Sequence, residues 1–217
     1  MAAHPPIEAY DELDSTSAEA RRRAEAGEGG PVWITAAAQT AGRGRRGRAW
    51  STQRGNLAAT LLTLTDRPPA EAAQLSFVAA LAACDLADTC LGPGVARLKW
   101  PNDVLFHGKK AVGILVESGA RADHMGGPPP PPRVALEVLA AAFERWRAAW
   151  ATQGFPPIAA GWSERATGIG QRCEARLPNR TLSGIAEGLE PDGALRLRLD
   201  DGGLERITAG DVFFGEA

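Results

Sequence analysis

Short apolar runs alternate with polar loops along most of the chain, and their periodicity predicts the elements. The runs at 31–38 and 56–64 are apolar and β-branched, which predicts two buried strands. The longer segments 69–91 and 134–151 repeat apolar residues at helical spacing. The first predicts a helix packed on the sheet, and the second predicts a helix with a charged opposite face. Between them, Arg97–Glu117 predicts two short strands around a turn at Pro101, Asn102 and Asp103, then a hairpin.

The hairpin turn is predicted at His107-Gly108, with Lys110 beginning a return strand that runs from Ala111 to Glu117. A lone lysine at the start of a strand is most often a solvated residue. Residues 118–133 then contain five consecutive prolines and no periodic pattern, which predicts a surface linker of polyproline character.

The pattern changes near residue 161, where short alternating runs are separated by turn residues. These runs lie at 168–176, 181–189, 194–199 and 204–208. We therefore predict an α/β domain at 1–160, a mixed central sheet flanked by helices, followed by a small β-barrel or sandwich domain at 161–217.

The segment Gln39–Arg48, QTAGRGRRGR, is unlike the rest of the chain because arginines alternate with glycines. It has no side chains to pack a core, and its glycines allow the backbone to approach a ligand closely. From these residues alone a solvated loop, a nucleic-acid patch and a site for a small phosphorylated ligand all stay open.

A second polar stretch, Asp14 to Ser17, offers N-caps for a short helix, and capping alone would account for Ser15 and Thr16.

The composition makes a nucleic-acid patch at Gln39–Arg48 less favoured, because 24 Lys and Arg against 26 Asp and Glu leave a net charge of −2. Dedicated nucleic-acid domains are more often basic overall.

Three cysteines without a CxxC pair predict reduced thiols rather than a disulfide framework. No apolar run is expected to reach the roughly 18 residues of a membrane span, and the N-terminus lacks a signal-peptide pattern. We expect a cytoplasmic protein with no membrane partner.

Four motifs together resemble those of the biotin–protein ligases in order and spacing. They are DSTS at 14–17, QTAGRGRRGRAW at 39–50, KWPNDV at 99–104 and KKAVGILVE at 109–117. The segment 184–212 is similar to the small SH3-like domain that ends those enzymes. The resemblance implies a class II synthetase-like catalytic domain, of the monofunctional type without the N-terminal DNA-binding domain.

The resemblance also implies an activity. Such enzymes join biotin to ATP as biotinyl-5′-AMP, then transfer biotin to one lysine of a biotin carboxyl carrier protein, such as that of acetyl-CoA carboxylase. ATP and Mg²⁺ are the implied cofactors, since ATP arrives as its magnesium complex. No metal ligand is assigned, although Mg-ATP is expected near Asn102 and Asp103.

The matching positions give the expected site residues. Arg45 and Lys110 are the expected catalytic cations, which suit the stabilisation of charge on phosphate oxygens. The expected biotin-binding residues are Ser15, Thr16, Ser17, Gln39, Arg43, Gly44, Arg45, Lys110 and Gly113. The expected ATP- and adenylate-binding residues are Arg43, Arg45, Arg46, Arg48, Trp50, Asn102 and Lys110.

The chain departs from the family pattern after residue 117, where relatives continue with a central strand carrying a GxGxN motif. Three explanations are open: a divergent member, an inactive biotin- or nucleotide-binding relative, or a sequence that omits a segment of the full protein. We favour omission, because a sheet that lacks a central strand would leave backbone groups unpaired.

Two further expectations concern partners and alternatives. The catalytic motifs begin near Ile7, so we expect no binding to DNA, while an edge strand of the α/β domain is compatible with a homodimer. A lipoate or octanoate ligase or transferase of the same fold is the alternative activity, although such proteins usually lack the arginine-glycine loop. A nucleic-acid binder would give KWPND and KxxGIL no role.

Overall fold

The computed structural model of this chain describes residues 4–44, 49–50, 55–117 and 133–215. It divides into two units, the first formed by Met1–Pro69 and Leu115–Glu144 and the second by Ala70–Ile114 and Arg145–Ala217. Each unit is described below by itself. These units are defined by contacts in space, so the domain boundary predicted near residue 160 stays a prediction.

The first unit contains a three-stranded mixed sheet in which β2 is the central strand. Its strands are β1 (Ile7–Tyr10), β2 (Val32–Ala36) and β3 (Ala58–Leu62), and its first helix is α1 (Thr16–Glu25). β1 runs parallel to β2, and β3 runs antiparallel to it. All five residues of β2 are buried, as the continuous apolar run predicts.

One buried arginine connects α1 to β1 in this unit. Arg23 is 6% exposed and its guanidinium pairs with the carboxylates of Glu8, Glu19 and Glu28. It also donates a 2.5 Å hydrogen bond to the hydroxyl of Tyr10. Burial disfavours the charged guanidinium, but the hydrogen bonds to Glu8 and Glu19 outweigh that effect, so the pKa of Arg23 is raised.

The second unit contains a three-stranded antiparallel sheet built around the predicted hairpin. Its strands are β4 (Ala96–Lys99), β5 (Asp103–Phe106) and β6 (Lys109–Gly113). His107 and Gly108 form the turn with φ angles of 48° and 74°, which is the conformation of a tight two-residue hairpin. The return strand ends at Gly113, so the prediction that it continues to Glu117 was wrong.

Two helices of the second unit, α3 (Leu75–Leu91) and α5 (Pro156–Arg165), pack against each other and against strand β4. The unit also contains most of α2 (Pro69–Ala72) and the C-terminal part of α4 (Arg133–Gln153). The carboxylate of Asp85 on α3 accepts hydrogen bonds from Arg145, Trp146 and Arg165 at 2.6, 2.7 and 2.8 Å. This carboxylate therefore ties three helices together.

The stretch Pro69–Leu91 is also long and apolar enough, at a mean hydropathy of 1.3, to cross a membrane by length and composition. The prediction that no run approaches that length was therefore too strong. Half of an 18-residue segment of this stretch is buried inside the fold, and the core helix of a water-soluble protein meets the same two criteria.

The remaining strands form a five-stranded antiparallel sheet in the second unit, in the order β10-β9-β8-β7-β11. They are β7 (Arg172–Arg176), β8 (Thr181–Leu189), β9 (Leu195–Leu199), β10 (Leu204–Ile207) and β11 (Asp211–Phe214). Gly184 of β8 allows close pairing, because a Cβ there would lie 2.1 Å from the carbonyl oxygen of Arg198. The fold class is thus mixed sheets with flanking helices, followed by a small antiparallel SH3-like sheet, as predicted.

Three elements lie outside the sequence prediction: β1, α5 and β11. A proline-rich linker was predicted at 118–133. Residues 118–132 lie outside the described part of the chain.

Candidate functional site

A cluster of hydroxyl and amide groups lies at the start of α1 in the first unit. The amide nitrogen and hydroxyl of Thr16 both donate to Oε1 of Gln39, at 2.8 and 3.1 Å. The hydroxyl of Thr60 donates to that of Thr16 at 2.9 Å. Thr16 is only 4% exposed, so this neutral cluster is fixed by buried hydrogen bonds.

The local sequence places this cluster by ending one strand and starting one helix beside each other. Gln39 continues from β2 and forms a parallel bridge with Leu13, whose carbonyl accepts from the amide of Thr40 at 3.0 Å. Ser15 is the N-cap of α1: its backbone is extended, and its hydroxyl accepts from the amide of Ala18 at 3.4 Å. Capping thus accounts for Ser15, whereas Thr16 has a different role.

The carboxylate of Asp14 precedes the cap and helps to fix it. Asp14 accepts from the amide of Ser15 at 2.8 Å and from both terminal nitrogens of Arg22 at 2.8 and 2.9 Å. The hydrogen bonds from Arg22, followed by that from Ser15, hold the pKa of this carboxyl well below its usual range.

Ser17 is held by a residue that the sequence analysis did not assign to the site. Its hydroxyl donates to Oε2 of Glu117 at 2.6 Å, and Arg21 pairs with the other oxygen of that carboxylate at 3.2 Å. The end of the KKAVGILVE motif is thereby attached to the first turns of α1.

The arginine-glycine loop is described at its two ends. The amide of Trp50 donates to the carbonyl of Gly42 at 2.8 Å, and Arg43 forms an antiparallel bridge with Ala49. Arg43 and Trp50 are exposed, and Gly44 is half-buried. The predicted Arg45, Arg46 and Arg48 lie outside the described residues. The described ends therefore form a closed neck.

The charged group of the candidate site lies on the hairpin of the second unit. Nζ of Lys110 lies 2.5 Å from Oδ1 of Asp103, and the Lys110 side chain is 40% exposed. Val104 pairs with Val112 but Leu105 pairs with Lys110, which leaves Ala111 as an extra residue in β6. Such a β-bulge re-aims neighbouring side chains, so the backbone itself sets the direction of Lys110.

Asn102 lies in the turn that leads into β5, beside this ion pair. It is 7% exposed and its Nδ2 donates a short hydrogen bond to the carbonyl of Ile114. Its Oδ1 is buried without a hydrogen-bond partner in the described part of the protein. Gly113 pairs with Asp103 across the hairpin. The turn thus presents an amide oxygen and a carboxylate close to a lysine.

The predicted site residues fall into two sets. The first unit brings together Ser15, Thr16 and Gln39, and it places Ser17 and Arg43 on neighbouring segments. The second unit brings together Asn102, Asp103 and Lys110, with Gly113 opposite Asp103. Sequence reasoning missed Thr60 and Glu117; only the place of Glu117 at the end of a motif offered a signal.

Models of two protein families match the chain. The biotin/lipoate A/B protein ligase family matches residues 12–127, and the biotin protein ligase C-terminal domain matches residues 168–215. These segments contain the two sets of predicted site residues and the five-stranded sheet, respectively.

Individual relatives extend the likeness to nearly the whole chain. A biotin–[acetyl-CoA-carboxylase] ligase from Paracoccus denitrificans is 42% identical, over 93% of this chain and 98% of the relative. A bifunctional ligase/repressor from Bacillus subtilis is 31% identical, over 95% of this chain and 73% of the relative. The structure of the Aquifex aeolicus biotin protein ligase in complex with biotin and ATP superposes with a TM-score of 0.80 at 21% identity, covering 98% and 99% of the two chains.

The alignment with the Paracoccus protein also contains positions that this chain does not fill. It runs over 237 positions, whereas 93% of 217 residues is about 202, so roughly 35 aligned positions have no residue here.

Proposed function

The chain belongs to the biotin/lipoate A/B protein ligase family, and on that premise we propose that it is an ATP-dependent, AMP-forming biotin–[acetyl-CoA-carboxylase] ligase. It activates biotin as biotinyl-5′-AMP and transfers the biotinyl group to a lysine of a biotin carboxyl carrier protein. The observation that carries this function is the 42% identity to a ligase of that name over nearly the full length of both chains.

The first step joins two anions and needs positive charge. A carboxylate oxygen of biotin attacks the α-phosphorus of ATP, the bond to the bridging oxygen of the β-phosphate breaks, and pyrophosphate leaves. Lys110, Arg43 and Arg45 supply cations for the oxygens on which charge accumulates. Asp103 holds the ammonium of Lys110 at 2.5 Å, and this exposed pair can exchange its carboxylate for a substrate oxygen.

In the second step the amine of the carrier lysine attacks the biotinyl carbonyl carbon. The carbon–oxygen bond to AMP breaks, AMP leaves with the electron pair, and the amine loses a proton. No side chain of the described residues is assigned as the base for that proton.

The neutral cluster of the first unit suits the uncharged bicyclic head of biotin. Ser15, Thr16 and Gln39 offer hydroxyl and amide groups. Thr16 donates to Gln39 and the Ser15 hydroxyl accepts from the amide of Ala18, so these directions are fixed before any ligand binds. Such fixed polar groups select a ligand with a matching polar edge.

Magnesium would enter with ATP. Among the described residues, no group of three or more His, Cys, Asp or Glu is placed to hold a metal ion. Mg²⁺ commonly uses one or two carboxylates plus substrate phosphates and water. The Asp103 carboxylate and the unpartnered Oδ1 of Asn102 fit that pattern and would hold it, and the ion would neutralise charge on the phosphates.

A direct test mixes the purified protein with biotin, ATP, Mg²⁺ and a carrier domain, and measures the mass of the carrier domain over time. We expect the mass increase of one biotinyl group, and Arg45→Ala should slow adenylate formation strongly while Arg180→Ala, an exposed arginine of the C-terminal sheet, should not. A carrier that accepts lipoate or octanoate but not biotin would overturn the proposal.

The unfilled alignment positions bear on activity. We infer that they fall at residues 118–133, where the sequence pattern departs from the family, and that the full protein carries a segment there. An intact mass well above 22.8 kDa for the protein isolated from its own cells is the expected result. Agreement with 22.8 kDa, together with biotin binding but no turnover, would favour the inactive relative.

Two statements about partners stay predictions. The chain is expected to ligate biotin without repressing transcription, which a specific and salt-tolerant shift of operator DNA would contradict. A homodimer is testable by sedimentation equilibrium.

A further inference from the structure

One buried tryptophan connects the candidate nucleotide side of the site to the C-terminal sheet. Trp100 begins the turn that continues into Asn102 and Asp103, and it is 2% exposed. Its indole Nε1 donates a buried 3.0 Å hydrogen bond to the carbonyl of Gly193, in the turn between β8 and β9. A long-range bond to a backbone carbonyl specifies the indole direction better than apolar packing alone.

The accepting turn is itself fixed. Gly193 has a φ of 91°, and a Cβ there would lie 2.9 Å from Cε2 of Phe77 and 3.3 Å from Cζ of Phe155. Phe77 and Phe155 pack edge to face with centroids 5.3 Å apart. The amide of Gly193 donates to the carbonyl of Glu190 at 2.9 Å. The carbonyl that receives Trp100 therefore has little freedom to move.

The strand before Trp100 is attached to the same part of the chain at two more places. The carbonyl of Leu98 accepts from the amide of Thr167 at 2.7 Å. The ammonium of Lys99 lies 5.4 Å from the ring centroid of Phe213 on β11, at the distance of a cation–π contact. Three successive residues, 98 to 100, thus contact the C-terminal sheet or the segment leading into it.

We propose that Trp100 is a positioning residue: through its bond to Gly193, the β8–β9 turn holds Asn102 and Asp103 in the geometry that binds the nucleotide. This inference rests on the proposed function. Asn102 follows Trp100 by two residues, and its side chain is anchored only through Nδ2 among the described contacts, which leaves Oδ1 for a ligand. A shift of Trp100 would therefore misplace Oδ1.

Trp33 supplies a matched control because it is a buried tryptophan, 5% exposed, in the first unit. It packs edge to face on Phe143, and its Nε1 has no hydrogen-bond partner in the described part of the protein. Trp33→Phe removes the same atoms from a core as Trp100→Phe does, but no described hydrogen bond.

The experiment measures biotinyl-5′-AMP formation by the full chain at varied ATP and at varied biotin. For Trp100→Phe we expect KM for ATP to rise roughly three- to thirtyfold, the effect of one lost buried hydrogen bond, with KM for biotin within about twofold of wild type. Trp33→Phe should leave KM for ATP unchanged even if its melting temperature falls. Equal effects of the two variants would overturn the proposal.

Gly193→Ala disturbs the same bond from its other end without altering Trp100, and it should raise KM for ATP in the same direction. If both Trp100→Phe and Gly193→Ala lose cooperative unfolding in urea, the contact serves folding and the proposal is wrong. A wild-type chain that forms no adenylate would instead contradict the proposed function, so the two failures are distinguishable.

Discussion

The hydroxyl cluster around Thr16 and the charged hairpin around Lys110 are built in opposite ways. In the first unit, neutral groups are buried and satisfy each other, as Thr16, Gln39 and Thr60 do. In the second unit, Lys110 and Asp103 form an ion pair, and the Lys110 side chain is 40% exposed. The neutral cluster is part of the packed structure, whereas the ion pair is accessible to solvent and to ligands.

This difference separates stability from chemistry. Removing a buried hydrogen bond leaves unpaired polar groups and costs free energy of folding, while an exposed ion pair contributes little to it. A cation that binds a phosphate oxygen of the substrate must be able to dissociate from its partner in the free protein. We therefore expect mutations in the hydroxyl cluster to lower both stability and biotin affinity, and mutations in the hairpin to lower the rate alone.

The largest effect is expected for Lys110→Ala, because it removes a cation from the reacting phosphate. The rate of biotinyl-5′-AMP formation should fall about 10²- to 10³-fold, with the free energy of unfolding changed by no more than about 0.5 kcal/mol. Lys109→Ala is the matched control, since Lys109 is the exposed neighbour on the same strand. A near-normal rate for Lys110→Ala would show that the role assigned to this lysine is wrong.

Thr16→Val tests the other half of the comparison with a side chain of the same shape. The hydroxyl of Thr60 would lose its acceptor and Oε1 of Gln39 would lose one of two donors. We expect the free energy of unfolding in urea to fall by about 1–2 kcal/mol and KM for biotin to rise about tenfold. The control is Thr63→Val, whose hydroxyl makes an exposed 3.3 Å bond to the carbonyl of Leu64. Unchanged stability would show that the cluster is not preorganised.

Salt sharpens the comparison without any mutation. Raising the salt concentration from about 0.05 to about 0.5 M shortens the range of charge interactions. The dissociation constant for ATP should therefore rise by a few fold, and that for biotin, which carries a single carboxylate beside its neutral head, should rise less. Isothermal titration of each ligand at the two salt concentrations measures this. A biotin affinity that falls as steeply as the ATP affinity would mean that charge, not the neutral cluster, dominates biotin binding.

Local patterns in the sequence predicted much of this fold. The strand predicted at 181–189 matches β8 at both ends, and the turn at His107-Gly108 is present as predicted. These elements are set by alternation and by turn residues that lie within a few positions of each other. Sequence reasoning was least successful where partners are distant.

The missed elements show why. β1 contains Glu8, which a surface pattern would place in solvent, but its carboxylate pairs with the buried Arg23. α5 begins at Pro156, a residue that suits the first helical position but predicts no helix by itself. In the site, the bulge at Ala111 that aims Lys110 has no sequence signal, because it depends on the register of two strands.

The smallest expected effect comes from Asp14, a charged residue at the start of α1, beside the neutral cluster. Its folded-state pKa is depressed by Arg22 and the amide of Ser15, so its contribution to stability is present above its unfolded pKa of about 3.9 and is lost as the pH falls through the folded value. The side chain is 46% exposed, which limits the contribution to about 0.5 kcal/mol. The free energy of unfolding in urea should therefore be lower for Asp14→Asn than for wild type at neutral pH, and this difference should shrink below about pH 4. The control variant Asp11→Asn, at an exposed neighbour, should match wild type at both pH values. A difference that grows on acidification would reverse the sign and would mean that the start of α1, and with it Thr16, is held by something other than this carboxylate.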